Sequence, residues 1–169
     1  MQLKPFLESI KTITQPDIES KNLKFIFDIK SIKHNNIIAD KVKLNQIIIN
    51  ILSNAIKYTP CGGTIHMFAG EEICTEKGFA KYKIKISDNG IGISEEFQKH
   101  IYEAFSKEHT STNTGIKGTG LGMAIAKKLI DMMGGKIELK SRLNKGSEFT
   151  IYMTFKISSS ALSDTNNAN

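Results

Sequence analysis

Tryptophan is absent from these 169 residues, arginine occurs once, and there are two cysteines and three prolines. Cys61 and Cys74 are too few for a disulfide scaffold and lack metal-ligand spacing, so the cytosol is the default expectation. No stretch approaches the roughly 20 apolar residues that cross a bilayer, and the N-terminus lacks the apolar block of a signal peptide. The apolar run at residues 47–52 is broken by Asn50 and reads as a buried helix. The formal charge is +6, carried almost wholly by lysines interleaved with acids. With Arg142 alone to supply a bidentate guanidinium, nucleic-acid binding is not expected. His34, His66, His100 and His109 lie far apart and lack i, i+4 pairing, which gives a zinc protease or a Ser-His-Asp hydrolase little support.

What is present is enough for a domain with its own core, 40% of the chain being hydrophobic. Residues 6–10 carry a short apolar helical pattern that Pro16 is expected to end. Residues 22–29 alternate as a strand, and a long helix is expected from Asp40 to Tyr58, stopped by Pro60-Cys61-Gly62-Gly63. Strands are expected at 64–69 and 80–87 around Lys77-Gly78, short helical turns at 95–105 after Ser94, and a mobile Ser/Thr-rich loop at 106–117. A helix at 121–133 and strands at 136–141 and 147–157 complete residues 1–157, and 158–169 read as a disordered tail or interdomain linker. The fold class expected is α+β, a two-layer α/β sandwich with a mixed sheet of about five strands and about three main helices on one face.

Four segments carry chemistry. Asn50, Asn54, Lys57 and Tyr58 stand at i, i+4, i+7 and i+8, on one helix face opposite an apolar one. An amide oxygen suits Mg²⁺, a lysine one turn on neutralises phosphate, and a tyrosine ring can lie against a base. The same pattern also describes the wet side of an amphipathic helix. Asp88 ends an alternating strand and enters Asn89-Gly90-Ile91-Gly92. A carboxylate there can accept the amino hydrogen of adenine, where guanine presents a carbonyl, although Asp-Asn-Gly is also an ordinary turn. Gly118, Gly120 and Gly122 open a helix, as phosphate cradles do, with Lys117 beside them as a point charge; a ligand-free hinge has the same glycines. The cluster lacks the Gly-Lys-Ser/Thr of a P-loop.

Taken together, the boxes Asn50-Ile51-Leu52-Ser53-Asn54-Ala55-Ile56-Lys57-Tyr58-Thr59-Pro60, Asp88-Asn89-Gly90-Ile91-Gly92-Ile93, the box ending at Phe105, and Gly118-Thr119-Gly120-Leu121-Gly122-Met123 resemble the catalytic and ATP-binding domain of a sensor histidine kinase. That domain belongs to the superfamily of gyrase B, Hsp90 and MutL ATPases, and the resemblance spans residues 3–155. It implies ATP and Mg²⁺ as cofactors, with Asn54 on the metal and Asn50 and Lys57 on the phosphates. Tyr58 would flank the base, and Asp88 would read the adenine amino group with Asn89, Gly90, Gly92 and Ile93 around it. Phe105 would anchor a lid, and Lys117, Gly118, Thr119, Gly120, Leu121 and Gly122 would wrap the phosphates. Ser147 stands where relatives support the carboxylate through water. The lid arginine of many relatives is missing, which leaves Lys117 or His109 to cover for it.

The resemblance also implies an excised cytoplasmic domain, making no membrane contact of its own, from a parent that is free to be membrane-anchored. The phospho-accepting histidine would come from a separate dimerisation domain, and a response regulator or receiver domain would act downstream. The alternatives are a gyrase- or chaperone-like regulatory ATPase and a catalytically silent nucleotide-binding module. Hydrolytic relatives use a glutamate where Asn50 stands, and an amide cannot take the proton.

Overall fold

The computed structural model describes residues 1–30, 32–108 and 118–158. The chain runs α1 (Leu3–Ser20), β1 (Lys24–Lys30), β2 (Ile37–Ile38), α2 (Lys41–Tyr58), β3 (Thr64–Glu72), β4 (Phe79–Asp88), α3 (Glu95–Gln98), α4 (Gly122–Met132), β5 (Lys136–Arg142) and β6 (Gly146–Ile157). Six strands form one mixed sheet in the order β1-β3-β4-β6-β2, with β5 also paired to β6. β1 and β3 are parallel, so the chain needs a crossover between them, and α2 is that crossover. Every other pairing is antiparallel. β6 is long enough to hold β4 along one edge while β5 and β2 share the other.

Alternation along β4 separates the two faces of the sheet. Ala80, Tyr82, Ile84 and Ile86 are buried, and Lys81, Lys83 and Lys85 between them stay in water. On that wet face Lys81 and Lys83 reach Glu72 and Lys85 reaches Glu148, a lattice of exposed ion pairs each worth at most about 1 kcal/mol. The buried face packs on α2 through Leu44, Ile47, Ile48, Ile51 and Leu52, and on α4 through Met123, Ala126 and Ile130. Asp40 caps α2 by accepting from the Lys43 N–H at 3.0 Å. Among the described residues no helix is long and apolar enough to cross a membrane.

The first helix corrects the expectation that Pro16 ends it: Pro16 lies inside α1. An interior proline costs about 3 kcal/mol by removing one helix hydrogen bond and crowding the turn before it. Buried Ile18 and Leu23 lie beyond it, each worth about 1.5–3 kcal/mol, so the tertiary contact outweighs the local penalty. The sheet also has one strand more than expected, because β2 needs only Ile37 and Ile38 opposite Ile157 and Lys156. The helical turns expected at 95–105 form a helix only over Glu95–Gln98, and the other expected helices and strands are present with boundaries moved by up to three residues. The loop expected at 106–117 falls, from 109 on, outside the described residues, as do Lys117, His109 and the tail from 159.

Candidate functional site

Asp88 is the last residue of β4 and points to the helix side of the sheet, in a cross-strand row with Ile65, Ser147 and, one strand further, Ser141. This row is the floor of a cavity with about 470 Å³ of open space. Asn54, Ala55 and Tyr58 of α2 form one wall, Ile91, Gly92, Ile93 and Ile101 another, and Phe149 and Glu108 complete it. The lining is mostly apolar, with few polar groups converging, as suits a flat heterocycle. Asp88 Oδ1 accepts from the Gly90 N–H at 2.8 Å. Burial pushes its pKa up, and N–H groups of Gly90 and Ser147 partly oppose that shift.

A second cavity of about 980 Å³ adjoins the first, sharing Asn54, Tyr58 and Ile101 as common walls. Asn50, Ser53 and Lys57 of α2 face Gly118, Thr119, Gly120 and Gly122 across it, and Lys107 stands at its rim. Burial and the Lys107 charge lower the Lys57 pKa. Its ammonium lies 5.2 Å from the centroid of the Tyr58 ring, a cation-π contact. Burial, with Glu108 nearby, raises the pKa of the Tyr58 hydroxyl. A Cβ on Gly118 would meet Lys57 Nζ, the far end of a flexible side chain, so the glycine backbone and the ammonium lie directly against each other here. The Asn50 Nδ2 donor is buried and has no hydrogen-bond partner among the described residues. A buried orphan donor costs about 1–3 kcal/mol, and an anion in the cavity would relieve it.

Of the residues singled out from the sequence, Asn54, Tyr58, Asp88, Gly92, Ile93 and Ser147 line the first cavity, and Asn50, Asn54, Lys57, Tyr58, Gly118, Thr119, Gly120 and Gly122 line the second. Others stand back from both. Asn89 turns its side chain to the Thr64 N–H at 2.7 Å. Gly90 packs on the Tyr58 carbonyl, where a side chain would clash. Leu121 precedes the first turn of α4. The Phe105 ring is 74% exposed, and its N–H reaches the Gly120 carbonyl at 3.0 Å. The Ser147 hydroxyl meets Ser141 Oγ at 2.9 Å, and its backbone N–H serves Asp88.

Sequence reasoning missed Ser141, which accepts from the Ile93 N–H at 2.8 Å and donates to the Gly146 carbonyl at 2.9 Å. It also missed the apolar walls Ile91, Ile101 and Phe149, for which alternation and helical period were the available signals. Among the described residues no group of three or more His, Cys, Asp or Glu side chains is placed to hold a metal ion.

Residues 39–157 match the family described as histidine kinase-, DNA gyrase B-, and HSP90-like ATPase. The chain is 33% identical over 155 residues to the signal transduction histidine-protein kinase BarA of Escherichia coli K12, covering 92% of this chain and 17% of that protein. It is 37% identical over 149 residues to the sensor protein GacS of Pseudomonas syringae pv. syringae, covering 88% and 16%. The chain therefore spans about a sixth of the length of these relatives. Full-length ShkA in complex with AMPPNP superposes with a TM-score of 0.76 at 26% identity, covering 94% of this chain and 31% of that one. The catalytic domain of the histidine kinase ThkA superposes at 0.72 and 26%, covering 91% and 95%. ThkA in complex with the response regulator TrrA superposes at 0.69 and 25%, covering 91% and 40%. The chain belongs to the histidine kinase-, DNA gyrase B-, and HSP90-like ATPase family, as a module of the sensor-histidine-kinase type, and that membership implies ATP and Mg²⁺ binding.

Proposed function

We propose that this chain binds Mg-ATP and donates the γ-phosphoryl group to a histidine carried by a separate dimerisation domain, with a response regulator or receiver domain downstream. The observation that carries this reading is the pair of adjoining cavities, one floored by the half-buried carboxylate of Asp88 and the other walled by Asn50, Lys57 and the glycines, with Asn54 and Tyr58 shared. The donor set fits the ligand. Asp88 accepts the adenine amino hydrogen through the oxygen that Gly90 leaves free, while Ile93 and Tyr58 lie against the base. Lys57 neutralises phosphate charge, the orphan Asn50 amide finds an acceptor, and the backbone N–H groups at the start of α4 add donors. Asn54, on the wall between base and phosphates, offers its amide oxygen to the metal. Among the described residues no carboxylate lines the second cavity, so the remaining metal ligands would be phosphate and water.

When bound, Mg-ATP supplies an activated phosphoryl group. The chain's residues orient it and neutralise its charge, which is most of what such a transfer requires. A neutral imidazole is nucleophilic without a base, whereas water is not, and Asn50 cannot act as one. Residues 1–157 form the catalytic domain in this reading, and 158–169 form a linker.

The test mixes this chain with Mg-ATP and the histidine-bearing dimerisation domain of its parent and follows acid-labile phosphate. Labelling should be slow, because tethering is lost, and should rise with the concentration of the dimerisation domain. An unlabelled partner together with rapid phosphate release by this chain alone would replace the kinase reading by an ATPase one.

A further inference from the structure

The last four carbonyls of a helix have no partner inside it, and at the end of α2 each is met by an identifiable donor. Ala55 O receives the N–H of Thr59 at 3.1 Å and its hydroxyl at 2.6 Å. Tyr58 O receives the Ile91 N–H at 3.2 Å. The two between them, Ile56 O at 2.7 Å and Lys57 O at 3.0 Å, are both taken by the ammonium of Lys21. Lys21 is the C-cap of α1 and lies 35 and 36 residues earlier in the chain. A cation at the negative end of a helix gains from the dipole as well as from two charge-assisted hydrogen bonds. Lys21 also holds the following turn, for its own carbonyl accepts from the Gly62 N–H at 3.2 Å, and the Lys24 N–H reaches Gly63 O at 2.8 Å.

We propose that Lys21 is a positioning residue of the nucleotide site: by closing the C-terminus of α2 it fixes the last two residues of that helix, Lys57 and Tyr58, in the walls of the two cavities. This rests on the nucleotide-binding reading above. Helix ends fray, and the base-flanking ring and the phosphate-side ammonium both sit at this one, whereas Asn54 and Asn50 lie one and two turns inside. Loss of the Lys21 ammonium leaves two carbonyls without their donor and frees the end to fray. The loss in binding then passes through Lys57 and Tyr58.

Two measurements test this on the whole chain. Titration with Mg-ADP compares wild type, Lys21→Met, Lys21→Arg, Tyr58→Ala and the double variant Lys21→Met/Tyr58→Ala. Lys21→Met should weaken affinity about five- to twentyfold, and Lys21→Arg, which keeps charge and several donors, should stay within about threefold. In the Tyr58→Ala background the Lys21→Met effect should fall below about threefold, because coupled residues are not additive. Hydrogen exchange without nucleotide should show faster exchange in Lys21→Met at residues 57–59, with β4 amides unchanged. Unchanged exchange at 57–59, or an undiminished loss of affinity in the Tyr58→Ala background, overturns the inference. A wild type that binds no ADP overturns the nucleotide reading, and the exchange experiment still decides the role of Lys21. Should Lys21→Met not fold, Lys21→Gln takes its place with the same expectations.

Discussion

Asp88 and Ser147 face each other across β4 and β6, and the Ser147 backbone N–H helps to lower the Asp88 pKa against burial while the serine hydroxyl turns away to Ser141. The hydroxyl is 2.9 Å from Ser141 Oγ. Since the only Ser141 hydroxyl hydrogen goes to Gly146 O, Ser147 is the donor in that pair. Ser141 then accepts two hydrogen bonds and gives one, tying the loop that carries Ile93 to the β5–β6 hairpin.

The two serines should therefore differ on replacement. Ser141→Ala strands the Ile93 N–H and should cost about 1–3 kcal/mol, whereas Ser147→Ala loses one hydroxyl donor and keeps its N–H, and should cost less than about 1 kcal/mol. Urea denaturation of both variants measures the order. A larger cost at Ser147 would mean that its hydroxyl, and not its backbone, supports the carboxylate.

Asp88 should trade stability for recognition. Burial raises its pKa above 3.8, so the folded state holds the proton more tightly than the unfolded state does. The protonated form is the one folding favours, so stability falls as pH rises through the window above 3.8, and the full cost is present at neutral pH. Asp88→Asn should remove this cost, melting higher than wild type at pH 7, with the gain vanishing as pH falls below 3.8. Its remaining carbonyl stays with the Gly90 N–H, which turns an NH₂ group to the adenine amino group, donor against donor. ATP affinity should drop about a hundredfold and GTP should gain on ATP. Thermal melts across pH and paired ATP and GTP titrations check both halves.

The most legible part of this site was the part that is periodic or local. The face shared by Asn50, Asn54, Lys57 and Tyr58 follows from helical spacing, and α2 is present with Asp40 at its cap as the sequence suggested. Asp88 at the end of an alternating strand was equally plain. Pro16 misled because its penalty is local, while the burial of Ile18 that overrides it depends on the sheet. Ser141 and Lys21 were invisible for the same reason. Their partners, Ile93 and Gly146 for one and Ile56 and Lys57 for the other, are set by how strands and helices meet and by no spacing in the chain.

Gly120 and Gly122, both in the second cavity, should respond oppositely to alanine. Gly120 has φ +73°, and a Cβ there would stand 2.8 Å from Ser106 O and 2.9 Å from the Phe105 carbonyl carbon, both backbone atoms that cannot swing aside. The Phe105 N–H also depends on the Gly120 carbonyl, so any shift is passed to residue 105. Gly120→Ala should cost about 1–3 kcal/mol in stability and at least about tenfold in Mg-ADP affinity. Gly122 is the first residue of α4, and the nearest atom to its added Cβ would be Asn50 Oδ1 at 3.7 Å, an ordinary contact. Gly122→Ala gains helix propensity, up to about 1 kcal/mol, and leaves its own N–H free to donate to phosphate. It should melt no lower than wild type and keep affinity within about threefold. Calorimetric titration and thermal melts of the two variants separate the cases. Equal losses of affinity with the fold intact would show that cavity space, and not the left-handed turn at Gly120, is what binding needs from these glycines.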